Sequence, residues 1–416
     1  MTQDALREIR SCEVCGNERL QSTLDLGPHP LCDDLVPVGD TRTCREYPIE
    51  VLLCSRCVTA HQRYQVPKSA LFPSTYHYRA RFTADVLSGM SQLVRASEEM
   101  FGPLSGRSVL DVGCNDGSLL DMFRERGAVT TGIEPTDAYL DAQKKGHRVF
   151  HEFLSPELSQ NIVALRGKPD FITFTNVFAH IENLREVLES LRCLLAPQTT
   201  LVIENHYLGA VLAGNQFDTF YHEHPRTYSY TSFEHVARSL SIPIMTTEFP
   251  SRYGGNIRVF LGRRAIPVTQ EVRDLDSLRG REARFVDDFA TLRRNVERWR
   301  QSKGRSLREQ VRATGKLRAK AFPGRAAILV KLLGLSEDTI SAVFEKPGSL
   351  KIGHYVPGTR IPILSDEALF AMPDQDQPLL NLAWHIPTEI RTYLASHGYT
   401  GPIIDVLSAD DFAAKS

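Results

Sequence analysis

The stretch VLDVGCNDGSLL, residues 109–120, begins as an apolar run, turns through two glycines set among small polar residues, and ends on a new apolar pattern. The run reads as a strand buried on both faces, and SLLDMFRERG (118–127) continues it at helical spacing. Glycines in such a strand-to-helix turn allow a sharp bend and let the backbone approach a ligand. The next strand, TGIEP (131–135), ends in Glu134 and Pro135. An acid placed roughly 20 residues after the glycine turn can accept both hydroxyls of a ribose. The turn is not a full dinucleotide fingerprint, and no lysine stands in it to cradle phosphates.

Outward from this stretch the same rhythm continues. FITFTNVF (171–178) and TTLVIEN (199–205) are further apolar runs, with helical pieces such as AYLDAQKKG (138–146) among the strands. Strands alternating with helices predict a parallel sheet covered on both faces. Segments near 242–248 and 256–262 predict an antiparallel closing pair. The expected class is therefore α/β. Its core spans 76–265, after a cysteine-bearing block at 1–75 and before a helical segment and second α/β domain at 266–416. The stretch LRRNVERWRQSKGRSLREQVRATGKLRAK (292–320) mixes acids among its arginines and has apolar residues at helical spacing. It predicts a solvated helix with an apolar underside.

The cofactor turn resembles motif I of class I (Rossmann-like) methyltransferases, which hold S-adenosylmethionine. That ligand has no phosphates, so the turn must offer carbonyls and polar side chains to an amino acid and a ribose. The resemblance implies cofactor contacts from Asp111, Gly113, Cys114, Asn115, Gly117, Glu134, Pro135, Asn176 and Phe178. The carboxyl ends of the fourth and fifth strands then line the site, bringing Ala179 and His180 at one and Glu204, Asn205 and His206 at the other.

Six of the eight cysteines fall within the first block. Cys12-x-x-Cys15 and Cys54-x-x-Cys57 are two knuckles whose thiolates can complete a tetrahedral sulfur site for zinc. Four thiolates leave no open coordination position, so the metal is expected to be structural, stapling a block too small for its own core. Cys32 and Cys44 are expected to be ordinary thiols.

Composition narrows the partners. Lys+Arg number 49 and Asp+Glu 50, a net charge of -1, so nothing points to a nucleic acid or a membrane surface. No run approaches the roughly 20 apolar residues of a membrane span. MTQDALREIR lacks a signal peptide's apolar core, and the expected compartment is the cytoplasm. A monomer is expected.

One segment asks for chemistry. YHEHPRTYSY (221–230) holds two histidines, a glutamate and three tyrosines, with neither a helical stripe nor a strand alternation. Such a density of titratable groups suits proton transfer. Together with LDLGPHPL (24–31), the zinc block, the methyltransferase core and PGTRIPI (357–363), this chain resembles the sugar C-methyltransferases of branched deoxysugar biosynthesis. The resemblance covers nearly the whole chain. It implies a nucleotide-linked 4-keto-6-deoxy sugar, on dTDP or GDP, whose C3 proton is removed so that an enolate carbon takes the methyl group. It places the base at His224, with Tyr221, Glu223, Tyr76 and His180 in supporting roles. His222 is expected to be a bystander, and Tyr228 and Tyr230 core aromatics. Gly324, Arg325, Lys346 and Lys351 are candidate phosphate or base contacts, although the glycine-rich turn of that last domain departs from the family pattern. The alternative is O- or N-methylation of a sugar nucleotide or another small metabolite, which would need the cofactor turn but no enolising base.

Overall fold

The computed structural model of this chain describes residues 6–72, 78–264 and 274–413. Seven strands form the central sheet: β1 Ser108–Val112, β2 Val129–Ile133, β3 Arg148–Phe150, β4 Phe171–Thr175, β5 Thr200–His206, β6 Ile244–Glu248 and β7 Asn256–Leu261. Their order across the sheet is β3-β2-β1-β4-β5-β7-β6. All run parallel except β7, which pairs antiparallel with both β5 and β6. This is the Rossmann-like class I methyltransferase arrangement expected from the sequence, closing pair included. The apolar runs are strands because helices cover both faces: in β7 every residue is buried, and in β5 all but the last. The sequence signal missed β3, a strand of 3 residues.

The helices have local causes. Ser155 caps Pro156–Arg166 by accepting from the Leu158 amide, and Asn183 caps Leu184–Leu194 by accepting from the Glu186 amide. Ser229 and Ser232 form a reciprocal capping box at the start of Tyr230–Leu240. Residues 229–230 of the titratable segment therefore serve as a helix start.

By internal contacts the chain divides into two compact units. The first comprises Met1–Thr23, Val51–Ala213 and Glu223–Val286, and the second Leu24–Glu50, Gly214–His222 and Asp287–Ser416. The boundary thus falls inside the segment 221–230, between His222 and Glu223. In the first unit the short strand Arg226–Thr227 pairs antiparallel with Ala60–Gln62, which pairs in turn with Glu46–Cys54. A piece of the titratable segment is therefore an edge strand of the cysteine block's sheet.

The second unit has its own sheet of five parallel strands: β8 Leu317–Lys320, β9 Ile340–Glu345, β10 Ile363–Ser365, β11 Leu379–Asn381 and β12 Ile403–Asp405, in the order β10-β9-β8-β11-β12. The arginine-rich stretch lies mostly in one helix, Phe285–Thr314, with Phe289, Leu292, Val296 and Trp299 buried at helical spacing, as its apolar underside predicts. Among the described residues, no helix is long and apolar enough to cross a membrane.

Trp299 anchors this unit. Its ring packs 5.0 Å from Phe217, and its Nε1–H donates to the Val406 carbonyl at 3.0 Å. Trp299→Phe removes the donor and part of the buried ring, and is expected to cost about 2–3 kcal/mol. Urea unfolding followed by far-UV circular dichroism measures that loss.

Candidate functional site

Strand order in the first sheet reverses between β1 and β4, and a crevice opens there at the carboxyl ends. The cofactor turn follows β1. Gly113 and Gly117 have φ of +72° and +76°, and Asn115 has +49°. A Cβ on Gly113 would lie 2.6 Å from Val177 Cγ2, so the turn passes too close to the loop after β4 for any side chain. The Gly113 and Cys114 amides both donate to the Ile133 carbonyl, at 2.7 and 3.0 Å. They tie the turn to the end of β2.

Glu134 completes that tie. One carboxylate oxygen accepts from the Asn115 amide at 2.9 Å, the other from the Thr136 amide and hydroxyl at 2.9 and 2.6 Å. Burial pushes its pKa up, against these bonds. A second strap crosses the turn: the Ala80 amide donates to Asn115 Oδ1 and the Arg81 amide to Asp116 Oδ2, each at 3.0 Å.

A cavity open to solvent lies against these groups. Among the cofactor candidates, Gly113, Asn115, Glu134, Pro135 and Asn176 line it, and so does His180. Asp111, Cys114, Gly117 and Phe178 do not, each for a stated reason. Asp111 points behind the turn, where it accepts from the Thr173 hydroxyl at 2.6 Å, and burial raises its pKa to about 7. Cys114 packs with Leu120, Ala142 and Val149. Gly117 is the left-handed cap of helix Ser118–Glu125. Phe178 is fully buried against Phe174, Tyr228 and Phe233. Glu204 is buried too, accepting from Arg258 Nε at 2.6 Å and Asn256 Nδ2 at 2.9 Å. The cavity also takes in Lys68, Phe72, Glu152 and Phe153, none of them among the sequence candidates. Glu152 follows β3 much as Glu134 follows β2, and the brevity of β3 hid that signal.

At the mouth of β4 and β5 three histidines converge. The His180 ring lies 4.7 Å from the His224 ring, and His206 lies 5.5 Å from His224. His180 Nδ1 donates to the Glu223 carbonyl at 2.7 Å, and Phe72 meets its ring edge-on at 5.4 Å. His224 and Glu223 are both buried. His180 thus fixes the backbone beside His224 as well as lining the cavity. Tyr76 lies outside the described residues. Tyr221 is half-buried and belongs to the second unit. So does His222, whose Nε2 meets the Tyr47 carbonyl at 3.0 Å. Tyr228 is a core residue, fully buried, and Tyr230 is nearly so.

In the second unit the candidate phosphate contacts already have partners. Arg325 Nε donates to Asp218 at 2.9 Å, Lys351 Nζ to the Phe322 carbonyl at 2.8 Å, and Lys346 pairs with Glu389 at 3.4 Å.

The four knuckle cysteines bring their sulfurs within 4.8 Å of one another, and Cys12, Cys54 and Cys57 are buried. Four sulfurs so close and so poorly hydrated fit a tetrahedral zinc ion, whose charge stabilises the thiolates. Asn17 Nδ2 donates to Cys54 Sγ at 3.4 Å, and His61 Nε2 lies 3.3 Å from Cys12 Sγ. Such outer contacts fix ligand orientation.

The chain is similar in sequence to known proteins. Three protein families match in turn: a zinc binding domain over residues 12–72, a methyltransferase domain over 77–240, and a C-methyltransferase C-terminal domain over 251–402. C-methyltransferase NovU of Streptomyces niveus is 30% identical over 397 residues, covering 93% of each chain. Ubiquinone biosynthesis O-methyltransferase of Histophilus somni (strain 2336) is 30% identical over 105 residues, 24% of this chain and 44% of that protein. Magnesium protoporphyrin IX methyltransferase of Synechocystis PCC 6803, solved with bound S-adenosylhomocysteine, aligns at 18% identity and a TM-score of 0.34, over 43% of this chain and 84% of that one.

The buried histidines make stability depend on pH. Burial lowers the His180 pKa from an ordinary 6.5 to about 4, and the same cause does so for His222. A base with a depressed folded pKa is neutral in the fold. Its stabilising share is present above about 6.5 and is lost as pH falls through 4, on the order of 3 kcal/mol for a shift this large. Thermal unfolding between pH 4 and 8 should therefore show a falling midpoint below 6.5, with a shallower fall in His180→Asn, which keeps a donor near Nδ1.

Proposed function

We propose, for a chain that belongs to the S-adenosylmethionine-dependent C-methyltransferase family, that the methyl acceptor is the C3 carbon of a nucleotide-linked 4-keto-6-deoxy sugar. The membership rests on the full-length match to a C-methyltransferase together with the C-methyltransferase C-terminal domain. The observation that carries the finer reading is the contact of the His224 ring with the ring of His180, which lines the cavity together with five of the cofactor candidates. S-adenosylmethionine supplies an electrophilic methyl group when bound.

A carbon acceptor needs its proton removed first. The 4-ketone acidifies the C3 proton, and His224 is assigned as the base that takes it. The electron pair left on C3 delocalises onto the ketone oxygen as an enolate, and C3 would then form the new bond to the methyl carbon as that carbon's bond to the cofactor sulfur breaks, its electron pair staying on sulfur. His180 positions this base through the Glu223 carbonyl. Tyr221, from the family resemblance, is assigned as a donor toward the enolate oxygen or the sugar, and Glu223 as a partner for a sugar hydroxyl or amino group. Preplaced donors of this kind commonly contribute a few kcal/mol. Tyr76 is assigned to the same site by resemblance. Gly113, Asn115, Glu134, Pro135 and Asn176 are assigned to the cofactor, with Glu134 receiving the ribose hydroxyls. Asp111, Cys114, Gly117 and Phe178 support it from behind the cavity wall. The acceptor is proposed to be carried on dTDP or GDP, the enzyme to act as a monomer, and its compartment to be the cytoplasm.

Proton exchange tests the reading. The enzyme, S-adenosylhomocysteine and a dTDP- or GDP-linked 4-keto-6-deoxyhexose in heavy water should show loss of the C3 proton signal by NMR. His224→Ala is expected to slow that washout by at least about 100-fold. Bound sugar nucleotide with no washout would refute C-methylation at C3 and favour transfer to oxygen or nitrogen.

A further inference from the structure

Arg226 lies in the segment 221–230, yet the proposed chemistry gives it no role. It is fully buried. Its guanidinium has partners on two sides. Nη1 pairs with the Glu13 carboxylate, and Nε donates to the Tyr228 hydroxyl at 3.1 Å. Nη2 donates to the Ile181 carbonyl and reaches the Glu182 carbonyl at 3.4 Å. Glu13 stands inside the first zinc knuckle, between Cys12 and Cys15. Ile181 and Glu182 line the cofactor cavity, followed there by Asn183, Glu186 and Val187.

We infer that the Glu13–Arg226 pair is a positioning device that sets the cavity loop 181–183 from the zinc knuckle. The arrangement around it is built for holding a charge in place. Gln65 Nε2 donates to Glu13 at 2.9 Å, Arg7 also pairs with Glu13, and His61 Nδ1 approaches at 3.8 Å. His61 links the pair to the metal ligands, since its other nitrogen lies 3.3 Å from Cys12 Sγ. His61 is also the ladder partner of Arg226. Arg7 adds a second donor to the Glu182 carbonyl at 3.3 Å.

The loop is also held by the packing of Ile181 on the core of this unit. His180 fixes its start through Glu223, and the Asn183 side chain starts the next helix by accepting from Glu186. Between them, two successive carbonyls face one guanidinium. A guanidinium is planar and rigid, so its donors transmit position as well as charge. If Glu13 no longer fixes Arg226, those two carbonyls lose a defined partner and the cavity wall at 181–183 shifts. The bland alternative is a buried ion pair that only joins two layers of the first unit.

The test is the affinity of the full-length, zinc-loaded protein for S-adenosylhomocysteine, by titration calorimetry. It needs no sugar, so its outcome stands apart from that of the keto-sugar reading. Glu13→Gln is expected to retain one zinc per chain and the wild-type circular dichroism spectrum, while Kd rises about tenfold. Arg226→Lys, which keeps the charge without the fork, is expected to raise Kd likewise. Arg185→Ala, which removes an exposed ion pair on helix Leu184–Leu194, should leave Kd unchanged. A folded, zinc-loaded Glu13→Gln whose Kd stays within about twofold of wild type overturns the inference. Should Glu13→Gln fail to fold, Arg7→Met replaces it, since that side chain is half exposed. There a rise of about threefold supports the coupling, and an unchanged Kd overturns it.

Discussion

Backbone groups at the carboxyl ends of β1 and β4 leave their shared sheet in opposite directions, because the strand order reverses between them. The turn after β1 and the loop after β4 must then face each other across the crevice. They approach so closely that Gly113 has no room for a Cβ beside Val177. Other groups around the cavity hold that approach in place. Glu134 ties the turn to β2, residues 80 and 81 strap it from outside, and Asn176 and His180 face it from β4.

Proton chemistry at such a crevice needs histidines whose rings are held without being charged. Burial does this for His180, and its bond to the Glu223 carbonyl orients the ring. The same bond sets the backbone next to His224. A buried neutral imidazole is costly to protonate, so the cluster proposed above as the base site also makes the fold sensitive to acid. Asp111 works in the opposite sense. Its raised pKa means that its share of stability is present below the ordinary carboxylate value and is lost as pH rises through about 7.

The zinc block is more than an appendage in this arrangement. Its sheet accepts Arg226–Thr227 as an edge strand, and its knuckle carries Glu13 to the buried guanidinium. Four thiolates converging on one ion give that knuckle a fixed geometry without a large core. A rigid knuckle is a reference point from which a loop elsewhere in the same unit can be held.

Much of this was legible in the sequence. Period-two and period-3.6 apolar patterns are local, so the order of strands and helices and the antiparallel closing pair could be read directly. The glycine turn, Glu134 and the two CxxC knuckles were legible for the same reason: each is a short spacing whose chemistry is contained within it. Other features depended on contacts between distant residues. Strand alternation turned Asp111 toward Thr173, and packing turned Cys114 and Phe178 inward, so membership of the motif did not put them on the cavity wall. Lys68 and Phe72, about a hundred positions before β4, line the same cavity as Asn176. The pairing of Glu13 with Arg226 has no local signature at all, because a buried charge is specified by its partner and not by its neighbours in the chain. Local pattern in the chain was enough for the α/β fold, the glycine turn after β1 and the clustering of four cysteines. Only the tertiary structure decided which polar side chains face the cavity and which hold it from behind, because burial and charge pairing act between residues that meet only once the chain has folded.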